Sequence, residues 1–229
     1  MKKKMSKRYK NLFTDKNKQS IVGLDEAIKM VKKNCNTKFN ESIDVSINLN
    51  LKQKKEEFNI RTVVNLPHGN GKTNKVAVLC EESKIKEAKE SGADIAGSEN
   101  LVEEITAGKI NFDKLIATPS MMAKMGKLGK ILGPKGLMPN PKLGTVTNDI
   151  KKTIKLIKDG QIEIKNDKDG NLGASIGRKN FPENKILENY NSLIESIKKE
   201  KPNGIKGDFI LSAFITSTMG ISYKIKLNR

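Results

Sequence analysis

Gly69-Asn70-Gly71-Lys72-Thr73 has the residue types of a nucleoside-triphosphate loop. That chemistry needs a further glycine five positions before Gly71, so that backbone amides can wrap the phosphates. Leu66 stands there, and Pro67 removes an amide donor. The segment therefore reads as a hinge loop with a basic edge. Asp167-Lys168-Asp169-Gly170 begins like a calcium loop, but Arg178 occupies the place of the bidentate acid. Asp-Gly suits a hairpin turn, because it supplies the positive φ such turns require. His68 is the only histidine, in a Pro-Gly loop without a cysteine partner. It supports neither a metal site nor a nucleophile–base pair. Cys35 and Cys80 are too few for zinc or a disulfide framework, which points to a reducing compartment. No catalytic residues, metal or cofactor are expected.

What remains is chemistry directed at polyanions. From Gly126 to Gly136, glycines recur every three or four residues with lysines between them. Such a segment exposes backbone amides and positive charge together. From Lys114 through Asn148 there are six lysines, Lys114 included, and no acid. A solvated helix face normally mixes signs. Thr216-Ser217-Thr218-Met219-Gly220 places small hydroxyls beside a glycine, where a ligand backbone can approach closely. The whole chain carries 44 Lys+Arg against 26 Asp+Glu, a net charge of +18 over 229 residues. Nucleic acid is the first partner this implies. No apolar run approaches a membrane span, and the basic N-terminus lacks the apolar stretch of a secretory signal.

The elements that must hold these residues divide into two grammars. Residues 1–20 read as a frayed basic tail. Asp25–Lys33 reads as a short amphipathic helix, and Ile43 to Leu51 as a half-buried alternating strand. Lys52–Asn59 is a charged loop and Ile60–Leu66 a second strand. After Pro67-His68-Gly69, short apolar strands (75–80, 93–96, 115–117) alternate with helices (81–91, 100–107, 148–158). That alternation indicates a small parallel α/β unit. A glycine-rich loop precedes the last of these helices. From Gln161 the first grammar returns, with the 167–170 hairpin, a helix from Pro182 stopped at Lys201-Pro202-Asn203-Gly204, and strands at 209–215 and 223–227. The predicted fold is α+β. A discontinuous first domain, 1–66 and 160–229, is interrupted by a Rossmann-like three-layer α/β domain at 67–159. Pro67, His68, Gly69, Asp159 and Gly160 form the expected double hinge.

Ala117-Thr118-Pro119-Ser120-Met121-Met122 and the run Gly126-Lys127-Leu128-Gly129-Lys130-Ile131-Leu132-Gly133-Pro134-Lys135-Gly136-Leu137-Met138-Pro139-Asn140-Pro141-Lys142 are highly specific. With Leu66-Pro67-His68-Gly69, Lys38-Phe39-Asn40-Glu41-Ser42, Lys201-Pro202-x-Gly204-x-Lys206-Gly207 and Ser217-Thr218-Met219-Gly220, the chain resembles the ribosomal protein L-one family of the bacterial large subunit over nearly its whole length. The resemblance implies a structural, non-enzymatic protein of the mobile stalk beside the tRNA exit site, cytoplasmic and ribosome-associated. It implies an rRNA site in the first domain at Lys38, Phe39, Glu41, Ser42, Asp167, Lys168, Ser212, Thr218, Met219 and Gly220. Exit-site tRNA and the chain's own operon mRNA, bound as a repressor, are the further partners implied. The free protein is expected to be a monomer. Lys124, Lys127, Lys130, Lys135 and Lys142 are the expected secondary RNA or tRNA contacts. Lys130 and Lys135 stand where the family often has Arg, and Ile221 where it usually has Pro. The rival reading is a sequence-tolerant nucleic-acid chaperone driven by charge alone.

Overall fold

A computed structural model describes residues 6–14, 21–50, 60–202 and 207–227. The expected charged loop at Lys52–Asn59 lies outside the described residues, as does part of the 201–204 helix stop. The fold is α+β, and the chain divides into two compact units: Met1–Gly71 with Ile162–Arg229, and Lys72–Gln161.

In the first unit the helices are α1 (Lys7–Thr14) and α2 (Leu24–Asn34), and the first strands are β1 (Ser42–Leu49) and β2 (Arg61–Asn65). Residues 7–14, expected as part of a frayed tail, are helical, and Leu12 is buried. The high charge of the first ten residues hid this short element from the sequence pattern. β1 follows its alternation: Ile43, Val45, Ile47 and Leu49 are buried, while Ser42, Asp44, Ser46 and Asn48 are not.

The second unit holds β3 (Val76–Leu79), α3 (Ile85–Glu90), β4 (Ile95–Gly97), α4 (Glu99–Thr106) and β5 (Lys114–Ala117). It continues with the one-turn helices α5 (Met122–Met125) and α6 (Gly129–Leu132), then α7 (Ile150–Lys158). The three strands form a parallel sheet in the order β4-β3-β5. All four residues of β3 are buried, as a parallel strand covered on both faces requires. Ala77 and Leu79 pack with Leu101, Ile105 and the Met121–Leu132 segment. Val76, Val78 and Cys80 pack with Ala88, Ile150, Ile154 and Ile157 on the other face. Gly160, with φ of 109°, ends the α7 turn where the sequence placed it.

The segment read as a glycine-rich loop is helical in its first part and turns irregular only from Gly133 onward. The helical part belongs to a chain of short helical turns from Pro119 to Leu132. Met121, Met125, Leu128 and Leu132 are buried at spacings of four, three and four, so one apolar stripe runs through the whole segment. A Cβ at Gly126 or Gly129 would meet nothing within 4 Å, so those glycines weaken the helix without serving close packing.

The chain then returns to the first unit through β6 (Gln161–Lys165), β7 (Asn171–Arg178), α8 (Glu183–Lys199), β8 (Ile210–Ser217) and β9 (Tyr223–Ile225). A four-stranded sheet runs β7-β1-β8-β9, antiparallel throughout, and β2 pairs with β6. One sheet face carries the core with Ala27, Ile28 and Val31 of α2 and Ile186, Tyr190, Leu193 and Ile197 of α8. Acid in the first turn of α8 and lysines in its last turn match the helix dipole. The polar residues of β1 lie on the opposite face.

Candidate nucleic-acid interface

The expected rRNA-binding residues are brought into two clusters at opposite ends of β1. Ser42 opens the strand and Asn48 lies near its end, about 20 Å away at ~3.3 Å per residue. The Ser42 end holds Lys38, Phe39, Glu41, Thr218, Met219 and Gly220. The Asn48 end holds Ser212, and the Asp167–Gly170 turn leads into β7 beside it. Asn48 pairs with Asn171 and Ser212 in the ladder, and Asn48 Nδ2 donates to Asn171 Oδ1 at 2.6 Å.

At the first end, two loops that are distant in sequence are stitched together. The Thr218 amide donates to Ser42 O at 3.1 Å, and the Ser42 amide donates to Thr218 Oγ1 at 3.0 Å. The Thr218 hydroxyl is thus partly spent on the backbone rather than wholly free for a ribose. Glu41 is buried with 0 % exposure. Its Oε1 accepts from the Thr37 amide at 3.2 Å and the Thr37 hydroxyl at 2.8 Å. Its Oε2 accepts from the Met219 amide at 3.1 Å. Burial works against this charge, but the Thr37 and Ser217 hydroxyls and the Met219 and Thr37 amides outweigh it and hold the carboxyl below its ordinary range. The Ser217 Oγ sits there without a full-geometry hydrogen bond of its own. Glu41 therefore ties loop 36–40 to loop 218–220 from inside. The surface it supports presents Lys38, Phe39 at 52 % exposure and Met219 at 46 %. A Cβ on Gly220 would stand 2.3 Å from Ser217 Oγ, so any side chain there makes Ser217 turn away.

At the other end the hairpin forms as predicted, with Gly170 at φ 82°. Asp167 Oδ1 accepts from the Asn171 and Asp169 amides at 2.7 and 3.0 Å, and Oδ2 accepts from Asn171 Nδ2 at 3.0 Å. The Asn171 amide and side chain hold its carboxyl below the usual range. Asp167 shapes the turn, and exposed Lys168 is the charge it presents. At this same end, a shallow depression of 670 Å³ is lined by Ser46, Asn48, Asp167, Asn171, Gly173 and Phe214.

Two features of this surface escaped sequence reasoning. Leu211 is an extra residue opposite the Asn48/Leu49 step, and this bulge leaves its side chain 45 % exposed beside Ser212. Two adjacent apolar residues inside an alternating strand were the available signal. Arg8 of α1 donates from Nη2 to Met219 O at 2.8 Å and from Nη1 to Asn36 Oδ1 at 3.2 Å.

In the second unit Lys124, Lys127, Lys130, Lys135 and Lys142 are all exposed. Lys124 is paired with Glu99. Of the expected hinge residues, Pro67, His68 and Gly69 belong to the first unit, which runs on to Gly71. Buried Asn189 of α8 accepts from the His68 amide at 3.1 Å and donates to Gly69 O and Ile176 O, both at 2.8 Å. His68 Nε2 also meets Glu188. This crossing is hydrogen-bonded to α8 at 68–69. Asp159 and Gly160 fall in the second unit, whose other limit is Gln161.

A family model described as the ribosomal protein L1p/L10e family matches residues 31–221. The chain belongs to the ribosomal protein L1p/L10e family. It is 56 % identical over 225 residues to the large ribosomal subunit protein uL1 of Pelagibacter ubique, covering 98 % of each chain. The uL1 of Prochlorococcus marinus is 46 % identical over 226 residues, 99 % of this chain and 96 % of that one. The uL1 of Mesoplasma florum is 45 % identical over 226 residues, 98 % of this chain and 99 % of that one. The family is one of structural ribosomal proteins rather than enzymes. Both ends of the β1 surface lie inside the matched span, whereas α1 precedes it. No helix among the described residues is long and apolar enough to cross a membrane.

Proposed function

We propose that this chain is a structural protein of the large ribosomal subunit whose first unit grips folded rRNA across the outer face of its antiparallel sheet. The observation that carries this reading is the Ser42–Thr218 and Glu41–Met219 stitching. It makes two loops into one preorganised end that presents Phe39, Met219 and Lys38 together. Apolar contact with sugars, hydroxyl exchange with 2′-OH groups and lysine contact with phosphate constitute shape recognition of RNA. The scarcity of aromatics, 4 % of the chain, fits that mode better than single-strand stacking. The lysine face of the second unit makes secondary contacts with RNA or exit-site tRNA as part of the mobile stalk. Motion is carried by residues 70–72 and 160–162, because Asn189 fixes 68–69. The same first-unit surface serves operon mRNA in repression.

The test is a salt titration of binding to a stalk-region rRNA fragment, beside a scrambled hairpin of equal length. A preference of ~10³ or more that survives moderate salt supports the shaped site. Equal, steeply salt-dependent curves replace it with charge-driven chaperone binding. Thr218→Val and Met219→Ala reduce cognate binding alone. Lysine-to-alanine changes at 127, 130 and 135 shift the weak, salt-sensitive component.

A further inference from the structure

We infer that Arg8 is a positioning residue for RNA binding, and that α1 is therefore part of the RNA-binding end rather than a dispensable tail. The inference rests on the reading that this end recognises structured RNA.

Met219 is held at both of its backbone polar groups. Its amide donates to Glu41 Oε2 from within, and its carbonyl accepts from Arg8 Nη2 at 2.8 Å from without. The second arm of the guanidinium reaches Asn36 Oδ1 at 3.2 Å, next to Thr37, which Glu41 also holds. Arg8 and Glu41 thus clamp the same two loops, one from the surface and one from the core. Those loops carry Phe39 and Met219, the exposed apolar pair of the proposed contact surface. Leu12, buried one helical turn further along α1, anchors the helix that delivers Arg8.

Composition points the same way. The chain has 44 basic side chains, of which only Arg8, Arg61, Arg178 and Arg229 are arginine. Against such a bias, arginine marks positions where a planar fork does what a point charge cannot. Arg61 is committed to an ion pair with Glu163 at 2.6 Å. Arg8 spans two neutral acceptors on two different loops, which a lysine ammonium cannot do in one plane.

The test uses the full-length chain as wild type, R8K and R8A, with the stalk-region rRNA fragment, the scrambled hairpin, and a urea midpoint for each protein. R8K keeps the charge and removes the fork. The expected result is a loss of about three- to tenfold in cognate affinity for R8K, the scale of one or two hydrogen bonds. Scrambled-hairpin affinity and salt slope stay at wild-type values for R8K, and the Met219 amide exchanges faster with solvent. R8A loses as much cognate affinity or more. The inference is overturned if R8K binds the cognate RNA as wild type does. It is equally overturned if R8K or R8A weakens cognate and scrambled RNA by the same factor, which would make Arg8 only a charge. If R8A also lowers the urea midpoint, comparison of R8K at equal folded fraction decides. Failure of wild type itself to prefer the cognate RNA would instead remove the underlying functional reading.

Discussion

Replacing Glu41 with glutamine separates an internal clamp from an RNA contact. The carboxylate receives three donors: two from Thr37 on Oε1 and one from Met219 on Oε2. A glutamine has one carbonyl oxygen, and its NH₂ cannot accept. The amide can serve the Thr37 side or the Met219 side, and whichever it abandons faces another donor. Keeping Thr37 turns two charge-assisted bonds into neutral ones, and losing Met219 forfeits a bond of roughly 1.5–3 kcal/mol. Relief of the buried charge offsets part of this. The net destabilisation is about 2–3 kcal/mol, which at ~1–3 kcal/mol per molar urea moves the first-unit midpoint down by roughly 0.7–3 M. Urea unfolding followed by circular dichroism reads the shift directly. RNA affinity, measured without denaturant, should fall with an unchanged salt slope, because no phosphate contact is removed. A Glu41→Gln variant that unfolds at the wild-type urea concentration yet binds cognate RNA poorly would refute this reasoning. In that event Glu41 would touch the RNA itself.

Four other perturbations probe the same unit. The Glu41 carboxyl is lowered in the folded state, so its contribution is fully present above the ordinary glutamate value of about 4.3 and is lost as pH falls through the lowered one. The stability difference between wild type and Glu41→Gln should therefore shrink in acid, and a pH-independent difference would contradict this. Asp44 is shifted the other way: burial raises its carboxyl and the Ser175 hydroxyl only partly compensates. Asp44→Asn should stabilise the protein at pH 7 and converge on wild type in acid, as read by thermal melts across pH. Asn189→Leu orphans the His68 amide and the Gly69 and Ile176 carbonyls, and should cost about 3 kcal/mol; a urea-measured loss below ~1 kcal/mol would show those groups find other partners. Gly220→Ala drives a methyl onto Ser217 Oγ and should cost about 1–3 kcal/mol, while the Ser217→Ala/Gly220→Ala double variant returns close to wild type. A double variant as unstable as the single would place the strain elsewhere.

Most of the framework was legible because it rests on periodicity. The alternation from Ile43 to Leu49, the Ile150–Ile154–Ile157 stripe and the Asp167–Gly170 turn are local patterns with local causes. What escaped notice depends on partners far away in the chain. Glu41 looks like one acid among many until Thr37 and Met219 surround it. Asn189 interrupts an apolar helix face as an apparent blemish, yet it fastens the 68–69 crossing. The Gly126–Leu132 stretch misled because glycine was read as loop chemistry, while Leu128 and Leu132 continued the helical spacing of Met121 and Met125. Arg8 was hidden by its own setting, a short helix within a basic stretch.

The sheet of the first unit has an assembly order written into its connectivity. β1 lies between β7 and β8, strands that begin at Asn171 and Ile210, while the second unit occupies one continuous stretch ending at Gln161. During synthesis at ~5–20 residues per second, the second unit is complete roughly 3–14 s before the last residue of this chain is added. β1 gains its β7 neighbour early in that interval, but its other edge stays unpaired until β8 is made, an arrangement prone to mispairing with other chains. The corner where Ser42 meets Thr218 comes into being last, so a nascent chain acquires its grip on RNA only after its lysine-bearing unit has already folded.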